Sequence, residues 1–184
     1  GEMAVLAAMI RPTVAVLTNA QREHQAFLET VAETASENGL LIAALPETGH
    51  AVFPADDPCS DVWASLALAR GVKTFTFSFD SRIPADLMCT LDADGVLALR
   101  GEKADFRIAL RIAGLHNARN AAAAAAAALI QDIDPEIIRK ALESFEALPG
   151  RGARMRTADR FGGATLVDDA YNCNPDSAIA SLRM

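Results

Sequence analysis

TVAVLT, residues 13–18, is the stretch that decides the fold class. Its run of β-branched and apolar residues is typical of a strand buried inside a parallel sheet. The polar stretch NAQRE, residues 19–23, follows it and forms the loop at the carboxyl end of that strand. Ligands of open α/β sheets bind at this end, so we expect a functional site near Asn19.

Helical and strand-like patterns alternate on both sides of this stretch. In chain order we predict helix 3–10, strand 13–18, helix 29–44, strand 51–53, helix 61–70 and strand 73–79. Strands separated by helices indicate βαβ units and therefore a parallel sheet flanked by helices. The fold class is α/β.

The second half of the chain changes character twice. Residues 86–112 form short alternating runs around the turn at Asp94-Gly95, which favours an antiparallel hairpin or meander beside the parallel sheet. We then predict helix 117–130 with its eight alanines, helix 135–145 capped by Asp134, a linker at 148–152, strand 164–167 and helix 175–184. The linker indicates that the chain contains two unequal pieces.

Composition narrows the classes of function. The chain is 51% hydrophobic and carries a formal net charge of −7, which argues against a nucleic-acid partner because phosphate backbones select basic surfaces. Its three cysteines are too scattered for a disulfide framework or a zinc motif, so we expect a reducing, cytoplasmic location. No stretch approaches the roughly 20 apolar residues that a membrane span requires.

Two polar clusters precede predicted helices. In TNAQREH, residues 18–24, His24 could be a metal ligand or an acid–base group, or only a surface or capping residue. In GLHNARN, residues 114–120, Asn117 and Asn120 share one helical face, and their amides could meet a purine edge. The alternative is that Asn117 simply caps the helix.

Two further clusters lie in the last quarter of the chain. Arg151 follows Pro149-Gly150, and an arginine fork binds phosphate oxygens, although a solvated linker with a few arginines remains the alternative. In VDDAYNCNPD, residues 167–176, Asp169 could bind a ribose hydroxyl or a metal. The Asn174-Pro175 pair could equally be only a helix start.

Taken in order, the motifs TNAxxxH, GLHNxxN, LPGR and DDAYNxNPDS resemble those of the Mur ligase superfamily. The last motif is most similar to the subgroup that adds D-Ala-D-Ala to UDP-MurNAc-tripeptide. The resemblance covers essentially the whole chain. It implies a central ATPase domain over residues 1–148 and the start of a Rossmann-like C-terminal domain over residues 149–184.

The resemblance implies an ATP-dependent ligase of peptidoglycan precursor synthesis. In this family the γ-phosphate of ATP passes to a substrate carboxylate, and an amine then displaces phosphate from the acyl phosphate. Mg²⁺ and cationic groups stabilise the developing negative charge. The implied cofactors are ATP and Mg²⁺, and the implied partners are UDP-MurNAc-tripeptide and D-Ala-D-Ala.

The resemblance also implies roles for individual residues. His24 matches a ligand of the second magnesium, and Asn19 matches the conserved asparagine of the same loop. Asn120, with Asn117 as second choice, matches the position that meets adenine. Arg151 matches the arginine that reaches the γ-phosphate.

The DDAYNxNP motif supplies the remaining candidates. Asp169 matches the aspartate that contacts the ATP ribose. Tyr171, Asn172 and Asn174 belong to the same motif and receive no individual role.

Two departures from the family pattern affect these expectations. The GxxGKT-type loop that holds the ATP phosphates occurs nowhere in the 184 residues, nor does the metal-binding glutamate expected just before Gly1. We therefore expect an internal piece of such an enzyme that is inactive alone. Asn38-Gly39-Leu40 also stands where many relatives have a carbamylated lysine in KGE, and an asparagine cannot form a carbamate.

Two alternatives remain open. The first is another Mur ligase or a folylpolyglutamate synthase-type ligase, although the DDAYNxNP spelling favours the D-Ala-D-Ala enzyme. The second is a nucleotide-binding module without catalysis of its own.

Overall fold

The computed structural model describes residues 2–22, 28–151, 153–156, 162–169, 171 and 175–182. Within these residues the helices are α1 Met3–Ile10, α2 Val31–Ala43, α3 Ser60–Arg70, α4 Leu115–Leu129, α5 Pro135–Ser144 and α6 Pro175–Leu182. The strands are β1 Val14–Val16, β2 His50–Pro54, β3 Lys73–Ser78, β4 Leu87–Leu91, β5 Val96–Gly101, β6 Ala104–Ala109, β7 Ala153–Arg156 and β8 Thr165–Asp168.

The first six strands form one sheet whose spatial order follows the chain, β1-β2-β3-β4-β5-β6. Strands β1 to β4 pair in parallel, and β4-β5-β6 pair antiparallel around the turn at Asp94-Gly95. The predicted α/β fold, a mostly parallel sheet flanked by helices, is confirmed. The predicted antiparallel segment beside it is confirmed as well.

Side chains alternate between two faces of this sheet, as the pleat of a strand requires. In β2, Val52 belongs to the core beneath α4, whereas Ala51 and Phe53 belong to the core beneath α2 and α3. Both faces are covered by helices, so the apolar strands of the parallel part are buried on both sides.

Large side chains fill the core between the sheet and the α2/α3 layer. Trp63 is fully buried, its Nε1–H donates to the Ala35 carbonyl at 3.0 Å, and its ring lies edge-on to Phe53 at a centroid distance of 6.0 Å. Gly39 lets α2 approach α3, because a Cβ there would lie 2.4 Å from Leu66 Cδ1. The side chains of α2, α3 and the sheet therefore pack closely against one another.

Helix α4 contributes mainly small side chains to the core beneath it, where they pack against larger side chains of the strands. All but one of the buried residues of this helix are alanines, and the exception is Leu129. The helix contacts β1, β2, β3 and β4 and therefore lies across the parallel part of the sheet. Methyl groups allow this close approach because they add little thickness between helix and sheet.

Capping explains where helices begin. The Thr30 hydroxyl accepts from Glu33 N–H at 3.1 Å, and the Glu33 carboxylate accepts from Thr30 N–H at 3.0 Å, so α2 begins at Val31 rather than at residue 29. The predicted cap of α5 is confirmed, since Asp134 accepts from Glu136 N–H at 2.8 Å.

The start of α4 differs from the prediction. The helix begins at Leu115, two residues early, with Gly114 as the residue before it at φ +94°. The alternative that Asn117 caps this helix is therefore wrong. Asn117 lies inside the first turn, and its Nδ2 donates to the Ala113 carbonyl at 2.7 Å.

Strand β7 was not predicted and lies just beyond the predicted linker. It pairs antiparallel with β8, from Ala153 opposite Asp168 to Arg156 opposite Thr165. Strand β8 was predicted one residue too early. No helix among the described residues is long and apolar enough to cross a membrane.

Candidate functional site

A cavity of about 380 Å³ lies where the loop after β1, the first turns of α4, the segment after α5 and the segment from β8 to α6 meet. Its wall combines amide, guanidinium, carboxylate and apolar side chains. The lining residues are Asn19, Gln21, Ile112, His116, Asn117, Arg119, Asn120, Phe145, Ala147, Leu148, Gly150, Arg151, Asp169, Tyr171, Ser177 and Ala180.

The structure brings most of the predicted site residues to this cavity. The candidates that line it are Asn19, Asn117, Asn120, Arg151, Asp169 and Tyr171. His24, Asn172 and Asn174 lie outside the described residues. The cavity thus joins residues from four motifs that are far apart in sequence, while their individual roles stay predictions.

The two asparagines of α4 present different chemistry to the cavity. Asn117 is half-buried, and its amide nitrogen already donates to Ala113 O. Asn120 is exposed one turn further along. Asn120 is therefore the better placed of the two to offer both a donor and an acceptor to a ligand.

An ion pair fixes the wall that α4 provides. Arg119 Nη1 donates to Asp56 Oδ2 at 2.9 Å, and Arg119 Nη2 donates to Asp56 Oδ1 at 2.6 Å. Asp56 Oδ2 also accepts from Phe79 N–H at 3.0 Å, and the guanidinium lies 5.3 Å from the centre of the Phe79 ring. The carboxylate after β2 is thus tied to α4 and to the end of β3.

The neighbouring carboxylate holds the loop after β1. Asp57 is buried, and it accepts from Ala20 N–H at 3.2 Å and from Cys59 N–H at 2.8 Å. This contact fixes the backbone beside Asn19. Sequence reasoning missed both aspartates, although they follow β2 as Asn19 follows β1, and the same strand-end argument applies to them.

The segment after α5 is anchored to the end of β8. Gly150 N–H donates to Asp168 Oδ2 at 3.0 Å, and Tyr171 N–H donates to Gly150 O at 3.0 Å. Gly150 has φ +78°, and a Cβ there would lie 3.1 Å from Tyr171 Cβ. Both the backbone conformation and this close approach require glycine.

Arg151 follows this glycine and faces an aromatic ring. Its Cζ lies 4.2 Å from the centre of the Tyr171 ring, a cation–π contact. Arg151 is exposed, and no carboxylate of the described part of the chain forms an ion pair with it. The Asp169 carboxylate accepts from the Ser181 hydroxyl of α6.

The polar groups of the lining fit a nucleotide. The cavity volume is within the usual range for small-molecule sites, and its guanidinium, amide and carboxylate suit phosphate, base and hydroxyl groups respectively. Among the described residues, no three His, Cys, Asp or Glu side chains form a cluster that could hold a metal ion by itself. Asp56 and Asp57 already accept hydrogen bonds from protein donors.

A family model described as the Mur ligase middle domain matches residues 1–128. The fold and this match define an α/β ligase domain, and the chain belongs to the Mur ligase family. The predicted resemblance is confirmed.

The curated relatives narrow the resemblance within the family. The UDP-N-acetylmuramoyl-tripeptide--D-alanyl-D-alanine ligases of Mycobacterium bovis and Mycobacterium tuberculosis are 32% identical to the chain over 186 residues. The match covers 100% of the chain and 36% of each relative. The chain therefore spans about a third of the length of these enzymes.

Solved structures of the same subgroup share the fold. MurF from Acinetobacter baumannii matches with a TM-score of 0.85 and 24% identity, over 97% of the chain and 38% of that protein. The MurF ligase from Thermotoga maritima in complex with ADP matches with a TM-score of 0.82 and 23% identity, over 100% and 41%. At these identities the likeness establishes the fold.

Proposed function

We propose that the chain carries the adenine, ribose and γ-phosphate contacts of the ATP site in a ligase that joins D-Ala-D-Ala to UDP-MurNAc-tripeptide. The observation that carries this proposal is the shared cavity, to which four separate motifs contribute polar side chains. The 32% identity with UDP-N-acetylmuramoyl-tripeptide--D-alanyl-D-alanine ligases over the whole chain supports the choice of substrates.

Each contact has a group of matching chemistry. The exposed amide of Asn120 offers a donor and an acceptor, the pair that an adenine edge requires. Asp169 accepts hydrogen bonds from ribose hydroxyls, and its bond from Ser181 orients the carboxylate. Asn19 also lines the cavity, beside the backbone that Asp57 holds.

Arg151 is the residue that contacts the γ-phosphate in this proposal. Its charge is not neutralised by a carboxylate of the described residues, and the Tyr171 ring at 4.2 Å limits the directions that the guanidinium adopts. A fixed fork stabilises charge that develops on phosphate oxygens, because it needs little rearrangement during the reaction. ATP supplies the γ-phosphate that activates the substrate carboxylate for attack by the amine.

The proposal includes three parts that rest on the resemblance. Mg²⁺ accompanies the nucleotide, with His24 as a ligand and Asn38 in place of the carbamylated lysine. Residues 1–148 belong to the central domain, and residues 149–184 belong to the C-terminal one. The 184 residues alone do not catalyse ligation, since no GxxGKT-type loop is present among them to hold the phosphates.

The decisive experiment measures phosphate release by the complete gene product that contains these residues. We expect release from ATP only when UDP-MurNAc-tripeptide and D-Ala-D-Ala are both present. Arg151→Ala should lower kcat by about 100-fold or more, because it removes a cation from the developing phosphate charge. Arg82→Ala is the matched control, since Arg82 is exposed and pairs only locally with Asp80.

Three outcomes would contradict the proposal. Turnover with D-glutamate or a diamino acid in place of D-Ala-D-Ala would identify a different ligase of the family. ATP binding without any turnover would favour a non-catalytic module. An unchanged kcat in Arg151→Ala would remove the role of that arginine.

Nucleotide binding tests the adenine contact separately. Asn120→Ala should weaken ATP affinity about 3- to 10-fold, the effect of one lost hydrogen bond. The free energy of unfolding should change by less than about 0.5 kcal/mol, because the side chain is exposed. Gln131→Ala, an exposed amide just beyond the other end of α4, is the control and should leave affinity unchanged.

A further inference from the structure

The surface by which α4 packs on the sheet is unusually smooth. Its buried residues are Ala118, Ala121, Ala122, Ala123, Ala125, Ala126 and Leu129. Helices normally find their axial position because ridges of side chains fit into grooves of the partner surface. A row of methyl groups gives shallow ridges, so packing alone constrains the axial position of α4 only weakly.

The Asp56–Arg119 pair supplies the missing constraint. Both guanidinium nitrogens bind the carboxylate, at 2.9 and 2.6 Å, in a fork that one position of the helix satisfies. A shift of α4 by one residue moves Arg119 about 1.5 Å along the helix axis. A displacement of that size lengthens or bends both bonds of the fork.

The anchor on the sheet side is rigid. Asp56 Oδ2 also accepts from Phe79 N–H, so the carboxylate is held between the end of β2 and the end of β3. Its side chain is only 8% exposed, and that of Arg119 is 25% exposed. This partial burial reduces screening by salt and water compared with an exposed pair such as Lys103–Asp132.

Stability alone does not account for such a pair. A buried ion pair costs desolvation, and replacing it with uncharged residues of similar size is often neutral or stabilising. What the fork provides is geometry, since a guanidinium binds a carboxylate in a fixed plane and a lysine does not. Arg119 itself lines the cavity and is next to Asn120, so its position helps to set that part of the cavity wall.

We propose that Asp56 and Arg119 are positioning residues that set the axial register of α4 and thereby the place where Asn120 and Asn117 meet a bound nucleotide. The identification of the ligand as ATP rests on the proposed function. The claim that the pair sets the axial position of α4 does not depend on the proposed function.

The test compares stability with nucleotide affinity in the complete gene product. Asp56→Asn with Arg119→Met removes both charges, keeps an acceptor for Phe79 N–H and retains the aliphatic stem of the arginine. We expect an unchanged or raised urea midpoint, together with ATP affinity weakened by about 10- to 100-fold, the effect of misplacing the hydrogen bonds of both Asn120 and Asn117. Arg119→Lys, tested alone, should leave the urea midpoint unchanged. Its ATP affinity should lie between that of the double variant and that of the wild type.

A second measurement needs no nucleotide. Amide hydrogen exchange over residues 115–120 should become faster in the double variant, whereas exchange in α5 should not change. Lys103→Met is the matched control, because Lys103 and Asp132 form an exposed ion pair, 2.9 Å long, near the other end of α4. It should alter neither the exchange at residues 115–120 nor ATP affinity by more than about twofold.

The outcomes separate the two proposals. Wild-type affinity for ATP in the double variant, or unchanged exchange at the start of α4, would overturn the positioning role. A wild-type protein that binds no ATP would instead overturn the proposed function, and the exchange measurement would still decide whether the pair sets the register of α4.

Discussion

The two faces of the six-stranded sheet are built differently. On the face covered by α2 and α3, large side chains interlock around Trp63, which is fully buried. On the face covered by α4, the helix contributes mainly alanines, and a buried ion pair fixes the wall of the candidate site. The first face has the contacts that stabilise a fold, whereas the second has the close approach and fixed geometry that a site needs.

The two faces also differ in what fixes the position of a helix on the sheet. Interlocked side chains define the position of a helix and stabilise it at the same time. A smooth helix obtains its contact with the sheet from methyl groups and its position from a polar pair. Substitutions on the two faces should therefore have different consequences.

The largest effect is expected on the interlocked face. Trp63→Ala should lower the free energy of unfolding by about 3–5 kcal/mol, because it leaves a cavity against Phe53 and removes the donor to Ala35 O. Urea denaturation measures this loss. Leu68→Ala, at an exposed position of the same helix, should cost less than about 0.5 kcal/mol. Equal losses at the two sites would mean that Trp63 does not organise this face.

A smaller effect is expected when a larger side chain replaces one of the buried alanines of α4. Ala122→Leu should lower the free energy of unfolding by about 1–3 kcal/mol, because a fully buried methyl position has no room for an isobutyl group. It should also weaken ATP binding by lifting the start of α4. Ala124→Leu, exposed on the same helix, controls for helix propensity. If Ala122→Leu is as stable as wild type, α4 is not closely packed.

The smallest expected effect is a change in the free energy of unfolding with pH, which should differ between the two faces of the sheet. Burial raises the pKa of the Cys89 thiol, on the α4 side, to about 12. Above about pH 8.5 the unfolded chain loses this proton while the folded chain retains it, so stability present at neutral pH is lost as pH rises. Between pH 9 and 10 the loss from this group should approach ~1.4 kcal/mol.

The Cys89→Ala variant should lack this part of the alkaline slope. Burial also raises the pKa of Cys59, which is only partly buried and packs on the other face. Cys59→Ala should therefore change the slope less. Equal changes in the two variants would show that the thiols are equally shielded from water.

Much of the fold could be predicted because its signals are local. The apolar run at residues 13–18, the Asp134 cap of α5 and the alanines of α4 each determine structure through their neighbours in sequence. Strand β7 was missed because ARMR, residues 153–156, is too short to stand out without its partner β8. The start of α4 was misplaced because Gly114 at positive φ, rather than an asparagine side chain, precedes it.

The features of the candidate site also divide into those that the sequence could predict and those that it could not. Residues in recognisable motifs, such as Asn120 and Arg151, could be proposed from sequence. The pairing of Asp56 with Arg119 and of Asp57 with Ala20 could not, because these partners lie 63 and 37 residues away along the chain. Contacts of that separation depend on the fold and leave no local pattern.

The order of the strands has a consequence for synthesis. Each strand from β2 to β6 pairs with the strand that precedes it in the chain, so each of them leaves the ribosome after its partner. Helix α4 comes after all six. At roughly 5–20 residues per second, one face of the parallel strands stays uncovered for several seconds, until the alanine helix arrives and closes the core.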